Sequence, residues 1–243
     1  MIRLLALFSV LTQAHEHGPG ELGRVNFPIS CNAAAQQRFT TAVAGLHSFY
    51  WEQGDAAFKA VADADSTCAM AYWGLALNAW GNPFAGGPGG NAGKGAPLRS
   101  GAEAVTRALQ LGAPTARERG FLAAVAALYR GSDSIPNSRR LQAYSDTLAR
   151  VYRDFSGDAE VAIYYALSLV ATAPKTDTTF ARQKQAAAIL NPLYRKYPQH
   201  PGLAHYIIHA NDSPRLATLG LEAGRRHASI APAAPHAQHV PSP

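Results

Sequence analysis

Apolar positions along the chain recur three and four residues apart, in blocks of roughly a dozen residues that alternate with polar or Gly/Pro-containing breaks. The blocks cover residues 33–48, 51–64, 68–80, 98–111, 115–130, 138–155, 158–172, 179–197, 202–212 and 214–230. Gly112, Gly131, Pro136, Gly157, Pro174, Pro198 and Pro232 stand in the breaks, where a turn is wanted. No strand-like alternation rises above this pattern. It predicts an all-α chain of roughly ten helices in antiparallel pairs. The pattern is clearest over residues 39–81, which read as helix, turn, helix, turn and a third helix, rich in Ala and aromatics. Such a unit cannot bury its apolar face alone and implies similar units stacked beside it.

Composition agrees. Only 16% of the 243 residues are charged, while 47% are apolar. Helices of this kind must hide most of their surface against each other. The formal charge of +6 comes from scattered Arg and Lys. Nucleic-acid binding needs a basic stripe with aromatic platforms, and none is present, so no nucleic-acid partner is expected. No apolar run approaches the about 20 residues of a transmembrane helix.

Residues 1–14 combine Arg3, the apolar run from Leu4 to Leu11, and small residues before a cleavage point after Ala14. That is the form of a secretory signal, with a partly buried first helix as the alternative. It predicts an exported protein, periplasmic or extracellular. In that setting Cys31 and Cys68 form one disulfide rather than two free buried thiols. Residues 15–32 read as an extended segment, and residues 33–243 as the helical domain. Residues 81–97, with seven glycines and three prolines, interrupt it. GNAGKG within that insert is no P-loop, since Lys94 is followed by Gly95 and no strand precedes it.

In 65–79 Tyr72, Leu75, Ala76 and Ala79 are spaced as in the tetratricopeptide repeat, a helix pair of 34 residues. Phe58 stands eight residues before Ser66, and Pro198 and Pro232 are themselves 34 apart. More narrowly, the stretches around Cys31, LHSFYW, CAMAYWG, HPGLAHYIIHANDSP and APAAPHAQHVPS resemble a group of exported bacterial tetratricopeptide-repeat proteins. The resemblance implies a right-handed solenoid with a concave groove that holds a peptide, a protein segment or a small ligand. In that group the last motif runs on into a further histidine and more helices, so the resemblance also implies a C-terminally shortened chain.

The repeat lines its groove with the second, fifth, ninth and twelfth positions of each first helix. The resemblance therefore directs Phe39, Trp73 and Trp80 to a ligand groove. It directs Gly202, His205, His209, Asp212, His236 and His239 to the groove's other end. His205 and His209 share a helix face at the i, i+4 spacing. His205, His209, Asp212, His236 and His239 are thus a candidate metal site. Imidazoles with a carboxylate suit zinc, copper or another borderline divalent ion. An open coordination position would make it a metal-dependent hydrolase, although the glutamate of H-E-x-x-H is missing. The competing reading is that these are packed structural histidines. His47, alone on an aromatic helix, reads as core. A second candidate depends on cleavage after Ala14: a new amino terminus at His15, with His17 third, could wrap Cu(II) or Ni(II) in a square plane of nitrogens. An unstructured tail is the alternative.

Overall fold

A computed structural model describes residues 21–84 and 96–239. Among these the chain forms eleven α-helices and no β-strand. They are α1 (Ala33–His47), α2 (Trp51–Ala64), α3 (Ala69–Trp80), α4 (Ala96–Leu111), α5 (Ala116–Tyr129), α6 (Asn137–Asp154), α7 (Ala159–Ala171), α8 (Ala181–Lys196), α9 (Pro201–Ala210), α10 (Leu221–Ile230) and α11 (Pro235–His239). Several of the breaks have a local cause. Asn32, Thr115 and Asp158 accept bonds from the first-turn amides of α1, α5 and α7. His200 does the same for α9 through its ring, with Pro201 in the first turn where its missing N–H costs nothing. Gly81, Gly112 and Gly131 adopt positive φ and end α3, α4 and the turn after α5.

Consecutive helices pack side by side, α1 on α2, α2 on α3, α3 on α4, α5 on α6, α7 on α8 and α9 on α10. The odd-numbered helices also touch one another, α1 with α3, α3 with α5 and α7 with α9. They therefore form an inner wall and the even-numbered helices an outer layer. At Gly74 an added Cβ would lie 2.1 Å from the Phe58 ring, so α3 approaches α2 only because no side chain intervenes. The array is curved far enough that α9 returns to α1.

Residues 22–31 run along the inner wall as an extended strap. Phe27 is its anchor, with ring centroids 4.9–6.4 Å from those of Phe39, Trp73, Phe121 and Tyr164. The Arg117 guanidinium lies over its face at 4.4 Å. The Gln36 amide brackets the strap backbone, donating to the Phe27 carbonyl at 3.0 Å and accepting from the Ile29 amide at 2.7 Å. Ser30 donates its amide and its hydroxyl to the two oxygens of Glu118, each at 2.7 Å. Further along, Cys31 is bonded to Cys68 across 37 residues of sequence. At the other end the Arg24 amide reaches the Gln199 carbonyl, and Ala233 donates to the carbonyl of Glu21.

Three details differ from the sequence expectations. The helix expected over 214–230 opens instead with a turn and a 3-10 segment, Ala217–Gly220, before α10. The helix expected over 202–212 stops at Ala210, because the Asn211 side chain bonds the Ile207 carbonyl and takes the place of a further turn. Phe39 and Trp73 do not face an open groove, whereas Trp80 borders an apolar pocket. The three are 0, 1 and 2% exposed, because Phe27 covers the first two and Tyr129 with Arg140 packs on the third. The expected signal at 1–14, His15, His17 and most of the glycine-rich insert lie outside the described residues.

Candidate metal centre

Where α9 meets α1 and α11, imidazoles accumulate. His205 and His209 stand one turn apart on α9, and His236 projects from the first turn of α11. The Nε2 atoms of His209 and His236 each lie 3.0 Å from Nε2 of His205. Nδ1 of His205 lies 2.6 Å from the backbone carbonyl of His47. A carbonyl only accepts, so the proton of a neutral His205 sits on Nδ1, and its Nε2 lone pair faces the other two rings. Two nitrogens bound to one ion at about 2.1 Å stand about 3.0–3.4 Å apart, and these separations fit that requirement.

Electrostatics keep the rings neutral. Burial, then the neighbouring His209 and His227, holds His205 well below the ordinary histidine range. Burial, His236 and His227 bring His209 down to about 3, and burial lowers His236, with His239 adding to it. Neutral imidazole is the form that ligates metal. The wall is aromatic. Phe49 packs edge-on to His205 at 4.4 Å and stacks on His209 and His236, and Phe84 lies 4.4 Å from His209. Phe49 holds a φ of +54°, a costly backbone for a bulky side chain. That strain sits at the turn that delivers the His47 carbonyl.

Of the residues expected to cluster, the structure brings together His205, His209 and His236. Asp212 and His239 are exposed and outside the group. Asp212 lies beyond the end of α9. His239 ends α11, which docks through Ala237, with Ala234 just before it, beside Leu22, Ala44 and Ala231.

Beneath the three rings lies a second constellation with no local sequence signature. Glu160, in the first turn of α7, accepts from His47 Nε2 at 3.0 Å and from His200 Nε2 at 2.9 Å. His47 Nδ1 meets the Tyr206 hydroxyl at 3.0 Å, and His200 Nδ1 accepts from the Leu203 amide at 3.3 Å. Burial alone would push the Glu160 carboxyl up. The electrostatic pull of His200 and His47, with their hydrogen bonds, outweighs it and holds the group down at about 2. Burial also lowers His47, against the pull of Glu160. Every ring nitrogen here already has a partner, so this cluster is a polar cross-link tying α1, α7 and α9. It fixes the carbonyl on which His205 hangs. Gly202 makes the contact possible, since a Cβ there would lie 2.5 Å from His47 Nδ1. His47 is thus core, as its surroundings in the sequence suggest, but polar core.

Beside Phe49 opens an apolar pocket, bounded also by Trp51, Trp80, Tyr144, Tyr164 and Leu167. The Tyr164 hydroxyl is buried there without a hydrogen-bond partner among the described residues.

Fold and site together define an all-α helical-repeat protein with a histidine cluster where the two ends of its inner wall meet. No family model and no curated protein matches the chain. Among solved structures it is similar to YrrB, described as a TPR protein with an unusual peptide-binding site. The identity is 14%, with 84% of this chain and 90% of that chain covered and a TM-score of 0.39. No helix of the described residues is long and apolar enough to cross a membrane.

Proposed function

We propose that this chain is a metal-binding helical-repeat protein whose centre is formed by Nε2 of His205, His209 and His236. The observation that carries the reading is the convergence of those three nitrogens while Nδ1 of His205 is anchored on the His47 carbonyl. An outer partner on the second nitrogen of a ligating histidine is the usual companion of a metal site, because it sets the tautomer and holds the ring. Three neutral nitrogens with no carboxylate among them suit zinc or copper far better than magnesium or calcium. A bound zinc ion with a free side would polarise a substrate carbonyl or acidify a bound water, the basis of metal-dependent hydrolysis. The Cys31–Cys68 bond supports an exported protein, since oxidising compartments are where such bonds persist.

The test is metal analysis of untagged protein, paired with thermal unfolding during zinc and copper titration. One equivalent of bound metal and a rise in midpoint are expected, both lost in His205→Ala and His209→Ala. Less than about a tenth of an equivalent, with no shift on adding either ion at many times a micromolar affinity, rejects the reading.

A second reading concerns the pocket beside Phe49, whose unpaired Tyr164 hydroxyl favours a small apolar ligand carrying one hydrogen-bond acceptor. The strap fills the groove around Phe39 and Trp73, so an extended peptide at that point would have to displace Phe27.

A further inference from the structure

Among the described residues, His227, on α10, belongs to no hydrogen bond or ion pair that accounts for its position. Its side chain is 0% exposed, and both of its ring nitrogens are buried without a partner. A neutral imidazole carries one N–H and one lone pair, so burying both unmet is unfavourable and calls for an explanation. The ring is not isolated among apolar groups. It stacks on His205, with centroids 5.0 Å apart and planes within 17°, and it interacts electrostatically with His209 and His236. The only unexplained buried imidazole among the described residues therefore lies against the three that converge.

We propose that His227 is the fourth ligand of this centre, leaving its stack on His205 when the ion binds to complete an all-histidine coordination sphere. This rests on the metal-binding reading above. His227 stands outside the group whose ligand atoms lie within 4.8 Å of one another, so its ring has to turn to reach the ion, about a second side-chain torsion that is broad and roughly two-fold. His205 itself is held by the His47 carbonyl, so His227 is the ring free to turn. Four imidazoles close the coordination sphere of zinc. The centre therefore holds an ion rather than activating water. It also ties α9, α10 and α11 into one metal-stapled unit.

X-ray absorption at the zinc edge, on the full chain loaded with one equivalent of zinc, counts imidazole ligands directly. Four are expected in the native chain and in His239→Ala. Three, with a nitrogen or oxygen from solvent, are expected in His227→Gln. The native count stands on its own should that variant fail to fold. Three imidazoles in the native chain, or a fourth that disappears in His239→Ala and persists in His227→Gln, overturns the assignment while leaving the three-histidine centre intact. Failure to bind zinc at all overturns the metal reading and this assignment together, a result distinct from either of those.

Discussion

Burying so many imidazoles in the neutral state makes the metal-free fold acid-sensitive in a window set by the histidines themselves. His205 is held well below the ordinary value of 6.5, His209 at about 3 and His227 at about 4. In the unfolded chain each titrates near 6.5. Between these limits the unfolded state binds protons that the folded state refuses, two of them at His209 and His227 and more at the other buried rings. Stability is therefore complete above pH 6.5 and is lost as pH falls from there toward 4. His209 and His227 each remove about 2 kcal/mol between pH 7 and pH 5, about 4 kcal/mol together, and His205 and His236 are shifted in the same direction. Domains of this kind typically have about 5–15 kcal/mol in total. His47 pushes in the same direction. Glu160, held at about 2, stays ionised throughout and contributes nothing in this range.

Urea unfolding of chelator-treated protein, followed by tryptophan fluorescence at pH 7, 6 and 5, reads this directly. The midpoint should drop steeply below pH 6.5, with a net uptake of at least about two protons on unfolding near pH 5. In His227→Asn the uptake should fall by about one. Saturating zinc should raise the midpoint at each of these pH values while leaving the slope in place, because the folded rings are already unprotonated when the ion binds and the unfolded chain still takes up the same protons. A midpoint unchanged from pH 7 to pH 5, or an uptake below about one proton, would refute the reasoning from buried neutral rings.

Phe27→Ala should cost about 3–5 kcal/mol in the same denaturation assay, because the strap's anchor leaves a cavity among four aromatic rings. A loss below about 1 kcal/mol would mean that residues 22–31 are not seated on the inner wall. Glu160→Gln leaves His47 and His200 facing a neutral amide and should cost about 3 kcal/mol or more at pH 7. Since the carboxylate's contribution is lost as pH falls from 4.5 to about 2, the native and variant chains should converge in stability toward pH 2. A gap that persists there would show that packing, not charge, is what the substitution removes.

What the sequence makes legible here is whatever a single helix pair decides. The helices of 33–80 and 98–172 follow from Ala-rich periodicity cut by Gly and Pro, and the i, i+4 spacing of His205 and His209 puts them on one face of α9 whatever surrounds it. Legibility fades with distance along the chain. The repeat's 34-residue equivalence pairs His205 with His239, yet α11 docks through Ala237 and turns His236 inward instead. Phe27 lies in a segment without periodicity, because every residue of an extended strap meets a different neighbour. Glu160 stands in the first turn of α7, where an acidic residue is ordinary, and nothing nearby marks its bonds to His47 and His200, 113 and 40 residues away. His227 sits on an outer-layer helix, where groove positions give no reason to look. All these contacts depend on α9 coming back to α1. In a solenoid, that closure is the sum of small rotations between successive pairs, so no one repeat encodes it. The histidine cluster is therefore a product of the whole curvature. A change that alters the curvature anywhere along the inner wall, from the strap at Phe27 to the α1–α9 contact at Gly202, should be felt at the ring of His205 before it is felt in helix content.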